Sequence, residues 1–229
     1  MPDVISHPEE LRMTLTTTIY EQMKEDILAV RLEPGQKLPF RFLMEHYGVG
    51  QTPLREALNR LSTEDLVVAL DQRGFRVKPV DLRELQELTQ TRCWVEGIAL
   101  RESMRNGSQA WEEALLVAHH RLDRSARSLD PATFANNPEW EHLHRLFHAT
   151  LIEACGSRPL IAFCAQLAER LHRYRMMSIR KAFREREVSR EHADIVQAVL
   201  SRDVELSVDL LQQHFQRTAN IIYGDLAES

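Results

Sequence analysis

Apolar positions recur at helical spacing along most of the chain. Ile19, Met23, Ile27 and Val30 fall three or four residues apart, which predicts a helix from Leu15 to Val30. The stretch "LEPGQKLP" then carries two prolines and a glycine and ends that helix. "FRFLMEHYGV" predicts a short second helix closed by Gly48. "GQTPLREALNRLSTEDLV" predicts a third, with Thr52 as N-cap, Pro53 at the first helical position and Leu54, Leu58 and Leu61 as its buried stripe. The pattern changes at "LVVALDQRGFRVKPV". Two β-branched, apolar runs are joined there by Asp71, Gln72, Arg73 and Gly74, the signature of a hairpin. Three helices and a hairpin predict a winged helix-turn-helix over residues 1–80.

After "KPVD" the period returns to that of helices and stays there. Asp81 can cap a long helix from Leu82 to Met104. Further helical patterns run over Gln109–Ser128, Pro138–Ala154, Arg158–Phe183, Ser189–Ser201 and Val204–Tyr223. This half carries no strand signal, so residues 81–229 are expected to form an all-helical bundle. The fold class is mainly α, a winged helix-turn-helix followed by an all-α helical bundle.

Composition narrows the class. Hydrophobic residues make up 43% and charged residues 28%, a globular balance rather than a disordered one. No apolar run approaches the roughly 20 residues of a membrane span, and "MPDVISHPEE" has no basic segment followed by an apolar one. Cys93, Cys155 and Cys164 are odd in number and form no CxxC, so neither a disulfide framework nor a zinc ribbon is expected. The expected compartment is a reducing cytoplasm. A net charge of −5 argues against a general nucleic-acid coat protein but allows a DNA reader with its basic residues on one face.

A helix-turn-helix lays the start of its second helix in the major groove. "GVGQTPLREAL" supplies Gly50, Gln51, Thr52 and Arg55 at that start. Arg41, near the start of the preceding helix, can reach the phosphate backbone, and Arg73 and Gly74 lie at the hairpin tip, where a wing enters the minor groove. The ordered set "LEPGQKL…YGVGQTPLREALNRLSTEDLV…RGFRV" resembles the DNA-binding domain of the GntR family of bacterial transcription regulators. The resemblance implies DNA contacts from Arg41, Gln51, Thr52, Arg55 and Gly74. The family's usual Ser-Arg is here Gly50-Gln51. Glutamine favours adenine where arginine favours guanine, so the preferred operator is expected to differ.

"HLHRLFHATLIEACG" puts three histidines into seven residues, two of them, His144 and His148, four apart. Alone, that spacing fits metal ligands, a catalytic dyad or a solvated surface. The second half resembles the FadR-type effector domain, also called FCD, through "HRLFHATLIEACGS", "REHADIVQAVLSRD" and "LLQQHFQR". His148, His192 and His214 occupy the three histidine positions of that domain, and His144 stands where it has an aspartate. The resemblance implies a divalent metal held by His144, His148, His192 and His214. Residues four apart on a helix share a face and can grip one ion. His192 and His214 sit in other helices among Ile195, Val199, Leu210 and Leu211, so a bundle can bring them to a common centre. Four neutral imidazoles suit Zn²⁺, with Ni²⁺ second, better than Mg²⁺ or Ca²⁺. Without the family's carboxylate the site keeps the ion's full positive charge, which favours a small carboxylate effector. Arg92 matches an arginine that faces the ligand cavity in this subfamily, and Tyr174 and Arg175 are further candidates for the effector. His142 points elsewhere on its helix, and His119 and His120 are expected on the surface.

These features predict a ligand-responsive transcription regulator, a repressor, that binds a two-fold symmetric double-stranded operator as a homodimer and does not engage membrane. A metal-dependent enzyme in the helical domain is the alternative. It lacks HExxH, although Glu141 and Glu153 flank the histidine pair. A purely structural interaction module leaves the recognition-helix motif unexplained.

Overall fold

The computed structural model describes residues 8–70, 74–130, 132, 134–185 and 187–227, with backbone only at 8–14, 177–185 and 227. The chain divides into two compact units, one ending at Asp81 and the other beginning at Leu82. Among the described residues no helix is long and apolar enough to cross a membrane.

In the first unit α1 (Pro8–Leu28), α2 (Phe40–Tyr47) and α3 (Gln51–Thr63) pack around a small sheet. Ile19, Met23, Ile27, Leu43, Leu54, Leu58 and Leu61 form its core with Phe75 and Val77, each nearly or fully removed from solvent. Burial of such a side chain stabilises the fold by about 1.5–3 kcal/mol. The helical stripe therefore reads correctly, but α1 stops two residues before Val30. Val30 takes a left-handed backbone with φ 59°, and the amides of Arg31 and Leu32 fold back to the Asp26 carbonyl. α2 closes where Gly48, at φ 66°, donates its N–H to the Met44 carbonyl at 3.0 Å, a cap conformation that costs glycine little. α3 begins two residues earlier than the Thr52 cap predicts. Gly50 takes the extended cap conformation, so Thr52 and Pro53 lie inside the first turn, where a missing proline N–H costs no helix bond.

The hairpin is present as β2 (Val67–Leu70) and β3 (Gly74–Val77), paired antiparallel. A third strand, β1 (Lys37–Leu38), pairs on the other side of β3, with Leu38 opposite Phe75, giving the order β1-β3-β2. Two residues are too few to show alternation, and their partner lies far along the chain, so the "LEPGQKLP" stretch reads only as a helix stop.

The second unit is a helical bundle: α4 (Leu82–Asn106), α5 (Gln109–Arg124), α6 (Pro138–Ile152), α7 (Arg158–Glu185), α8 (Val188–Leu200) and α9 (Val204–Ala227), with a short 3-10 turn at Glu153–Cys155. An isolated bridge between Ser128 and Asn136, braced by the Ser128 hydroxyl, is its β-type pairing among the described residues. Ser108 caps α5 and Asn137 caps α6, with Pro138 in the first turn. Gly97 lets α4 and α9 approach closely: a Cβ there would stand 3.0 Å from the Gln212 amide and 3.2 Å from Val208. The Trp111 indole N–H donates to the Thr150 carbonyl at 2.8 Å and ties α5 to α6. Leu100, Leu115, Phe147, Leu151, Ile195, Val199, Leu211 and Phe215 fill the middle.

Candidate functional site

The first turn of α3 presents Gln51, Thr52 and Arg55 to solvent while Leu54, Ala57, Leu58 and Leu61 face the core. Gln51 and Arg55 are four residues apart and share one face. The free N–H groups of the first turn point the same way, as an approach to phosphate requires. Arg55 is also held from below, its guanidinium carbon 5.0 Å from the Phe40 ring centroid. Arg41, at the start of α2, is 90% exposed and paired with Glu45 at 3.3 Å. So exposed a pair is weak and releases its arginine readily. Gly74 opens β3 at φ 89°. Arg73 lies outside the described residues.

In the second unit the four histidines converge. His144 and His148 come from α6, His192 from α8 and His214 from α9. One ligand atom from each lies within 4.8 Å of all the others, and among the described residues this is the one histidine, cysteine or carboxylate group so clustered. The Nε2 atoms of His144 and His148 stand 3.2 Å apart. Two nitrogens on a tetrahedral zinc at about 2.0–2.1 Å are about 3.3 Å apart, so this pair is already near a ligand spacing. The apolar walls are close: Phe147 lies 4.8 Å from the His192 ring, Phe215 5.5 Å from His148, and Trp140 stacks on His144 at 4.7 Å.

Burial, reinforced by the neighbouring histidines and Arg92, holds His144 and His148 well below the ordinary histidine pKa. Neutral imidazoles offer lone pairs, which is the form a metal needs. His214 is oriented further. Its Nδ1 donates to Glu191 at 2.9 Å, and a carboxylate only accepts, so Nε2 keeps the lone pair. The donor set fits a divalent transition ion.

Sequence reasoning missed Glu191, whose signal is its place directly before His192. It also missed His119. Expected on the surface, His119 is half-buried against Phe147 at 5.8 Å, with its Nε2 buried and without a hydrogen bond. Burial lowers its pKa. The signal was available, since His119 lies four after Leu115 and three before Leu122 on the buried stripe of α5. His142 is exposed, as expected.

Arg92 lies near the histidines but is already engaged. Its Nε donates to Glu96 at 2.6 Å, and its guanidinium carbon sits 3.8 Å over the Phe215 ring. Tyr174 is fully buried and donates to Glu84 at 2.8 Å. Arg175 pairs with the buried Glu141, with His172 alongside. None of the three borders the cavity of about 580 Å³ that opens beside His192. Of the two carboxylates flanking the histidine pair, Glu141 is thus held by Arg175, and Glu153 is exposed.

Comparison with known proteins agrees with both units. Residues 15–77 match the family described as bacterial regulatory proteins, gntR family, and residues 87–217 match the FCD domain. The chain is 33% identical over 213 residues to the uncharacterized HTH-type transcriptional regulator BphR of Paraburkholderia xenovorans, spanning 91% of this chain and 85% of that one. It is 30% identical over 226 residues to the HTH-type transcriptional repressor GlaR of Escherichia coli, spanning 94% and 99%. The solved structure of E. coli McbR/YncC superposes with a TM-score of 0.71 at 21% identity, covering 93% of this chain and 98% of that one, a likeness of fold. The chain belongs to the gntR family of bacterial regulatory proteins and is a transcriptional regulator rather than an enzyme, with an FCD domain following its DNA-binding unit.

Proposed function

We propose that the protein is an acid-responsive repressor. It binds a two-fold symmetric operator as a homodimer in the cytoplasm and releases it when a small carboxylate enters the FCD unit. Repression is the direction carried by the name of the E. coli relative. On the DNA side Arg41, Gln51, Thr52, Arg55, Arg73 and Gly74 make the contacts, with Gln51 and Arg55 reading base edges. The face shared by the exposed Gln51 and Arg55 supports this.

The observation that carries the effector reading is the convergence of His144, His148, His192 and His214 within 4.8 Å, beside a cavity of about 580 Å³. The four imidazoles would hold one divalent ion, zinc first and nickel second, since nitrogen donors without a carboxylate favour these metals. When bound, the ion supplies positive charge and an open position for a carboxylate oxygen. The protein's own part is to keep the imidazoles neutral by burial, to orient His214 through Glu191, and to exclude water with Trp140, Phe147 and Phe215.

Gel-shift titration against the DNA upstream of the protein's own gene tests this, run with a panel of carboxylates, with and without chelator. The expected result is a specific shift that a carboxylate weakens and chelator protects. A shift insensitive to every acid, or no shift, contradicts the proposal.

A further inference from the structure

The resemblance assigns the effector's carboxylate to Arg92, but the packing around that residue is unsuited to the task. Glu96, its partner, is 2% exposed, and the two pair at 2.6 Å. Turning Arg92 toward a ligand would leave a buried carboxylate uncompensated, which is strongly unfavourable. Its planar face is covered as well, by Phe215 at 3.8 Å.

A second arginine lines the same cavity as His119 and His192. Arg127, in the loop after α5, borders the cavity of about 580 Å³ together with His119, Leu122, Trp140, Val188 and His192. Its guanidinium carbon is 5.6 Å from the ring centroid of Trp140, and Trp140 stacks on His144 with ring planes 14° apart. Arg127 is also near enough to His144 for its charge to help lower that residue's pKa. A guanidinium carries five N–H donors in a rigid fork, so it can take a carboxylate while keeping partners within the chain. Asp123, which accepts from the Ser189 hydroxyl, lines the same cavity, as do Glu187 and Arg190. Leu122, Trp140 and Val188 give the cavity an apolar wall. Its size falls among sites for drug-sized ligands, about 300–1,000 Å³, well above the need of a three-carbon acid.

We infer that the effector is a carboxylic acid of more than three carbons, lying in this cavity with its carboxylate between His192 and Arg127 and its body along Trp140, Leu122 and Val188. Arg92 keeps Glu96 in place and does not touch the acid. The inference rests on the organic-acid reading above, and one experiment separates the two.

Calorimetric titration of the metal-loaded wild type with propionate, benzoate and glutarate, repeated on Arg127→Gln and Arg92→Lys, provides the test. Benzoate or glutarate should bind more tightly than propionate. Arg127→Gln should weaken that binding about 10–100-fold, as for the loss of a charge-assisted pair, with metal content unchanged by elemental analysis. Arg92→Lys keeps a cation on Glu96 and should bind within about threefold of wild type. Normal binding in Arg127→Gln with loss in Arg92→Lys overturns the inference and leaves the organic-acid reading intact. Loss of metal from Arg127→Gln overturns it too, since the arginine would then serve the histidines rather than the acid. Binding of none of the three acids to wild type removes the organic-acid reading and the inference with it.

Discussion

Replacing Glu191 with alanine removes the acceptor that orients His214. The pair is buried, with side chains 4% and 13% exposed for His214 and Glu191, so solvent screens little of their interaction. The carboxylate acts in two ways. It holds the proton on Nδ1, which leaves the lone pair on Nε2, and its negative charge raises the basicity of the ring as a ligand. Loss of such a partner typically lowers metal affinity 10–100-fold, or about 1.4–2.8 kcal/mol. Glu191→Gln keeps an acceptor oxygen and loses the charge, so it belongs at the weak end, about tenfold. Glu191→Ala leaves an N–H without its acceptor and belongs at the strong end. Competition for zinc against a chromophoric chelator near neutral pH reads both, with thermal melts of the metal-stripped proteins to verify folding. An affinity for zinc unchanged within about twofold in a folded Glu191→Ala protein would refute the reasoning, because His214 would then not be a ligand through Nε2.

Three further outcomes are expected. Burial pushes His172 down to about 4 and holds His144 and His148 well below 6.5. Each takes up a proton near 6.5 once unfolded, so the stability of metal-stripped protein is full above that pH. It falls as pH drops toward 4, by up to about 1.4 kcal/mol per pH unit per histidine. Urea midpoints across that window should decline, and less steeply in His172→Gln; a flat profile would contradict the assignment. Arg55→Ala should weaken specific operator binding by about 1–3 kcal/mol in gel shifts without altering the melt, since Arg55 is exposed, and Gln51→Arg should move a randomised-site selection toward guanine. Phe147 is fully buried and touches the rings of His119, His148 and His192, so Phe147→Ala should cost about 3–5 kcal/mol of unfolding free energy in urea titration. A cost below about 1 kcal/mol would mean the core collapses around the gap.

The helices were legible because each buries one stripe at a 3.6-residue period. Leu54, Leu58 and Leu61 on α3 and Trp111, Leu115 and Leu122 on α5 are the plain cases. The ends were less legible. A left-handed Val30 and the Gly50 cap are decided by backbone hydrogen bonding that hydrophobic spacing does not encode. β1 was hidden by its length. At the site, His144 and His148 announced themselves by spacing, whereas their meeting with His192 and His214 depends on how α6, α8 and α9 cross, which only the family resemblance supplied. Glu191 stands directly before His192, but its partner His214 lies on another helix, and Arg127 likewise meets Trp140 from a different element. Arg92 illustrates the converse: its position matched, and packing gave its guanidinium to Glu96.

Elemental analysis of the protein purified without chelator or affinity tag tests the central claim most directly. One divalent transition ion per chain is predicted, zinc foremost, falling to none in His148→Ala while that variant still shifts the operator. A metal-free wild type, or a His148→Ala protein that keeps its full complement of metal, would contradict the account.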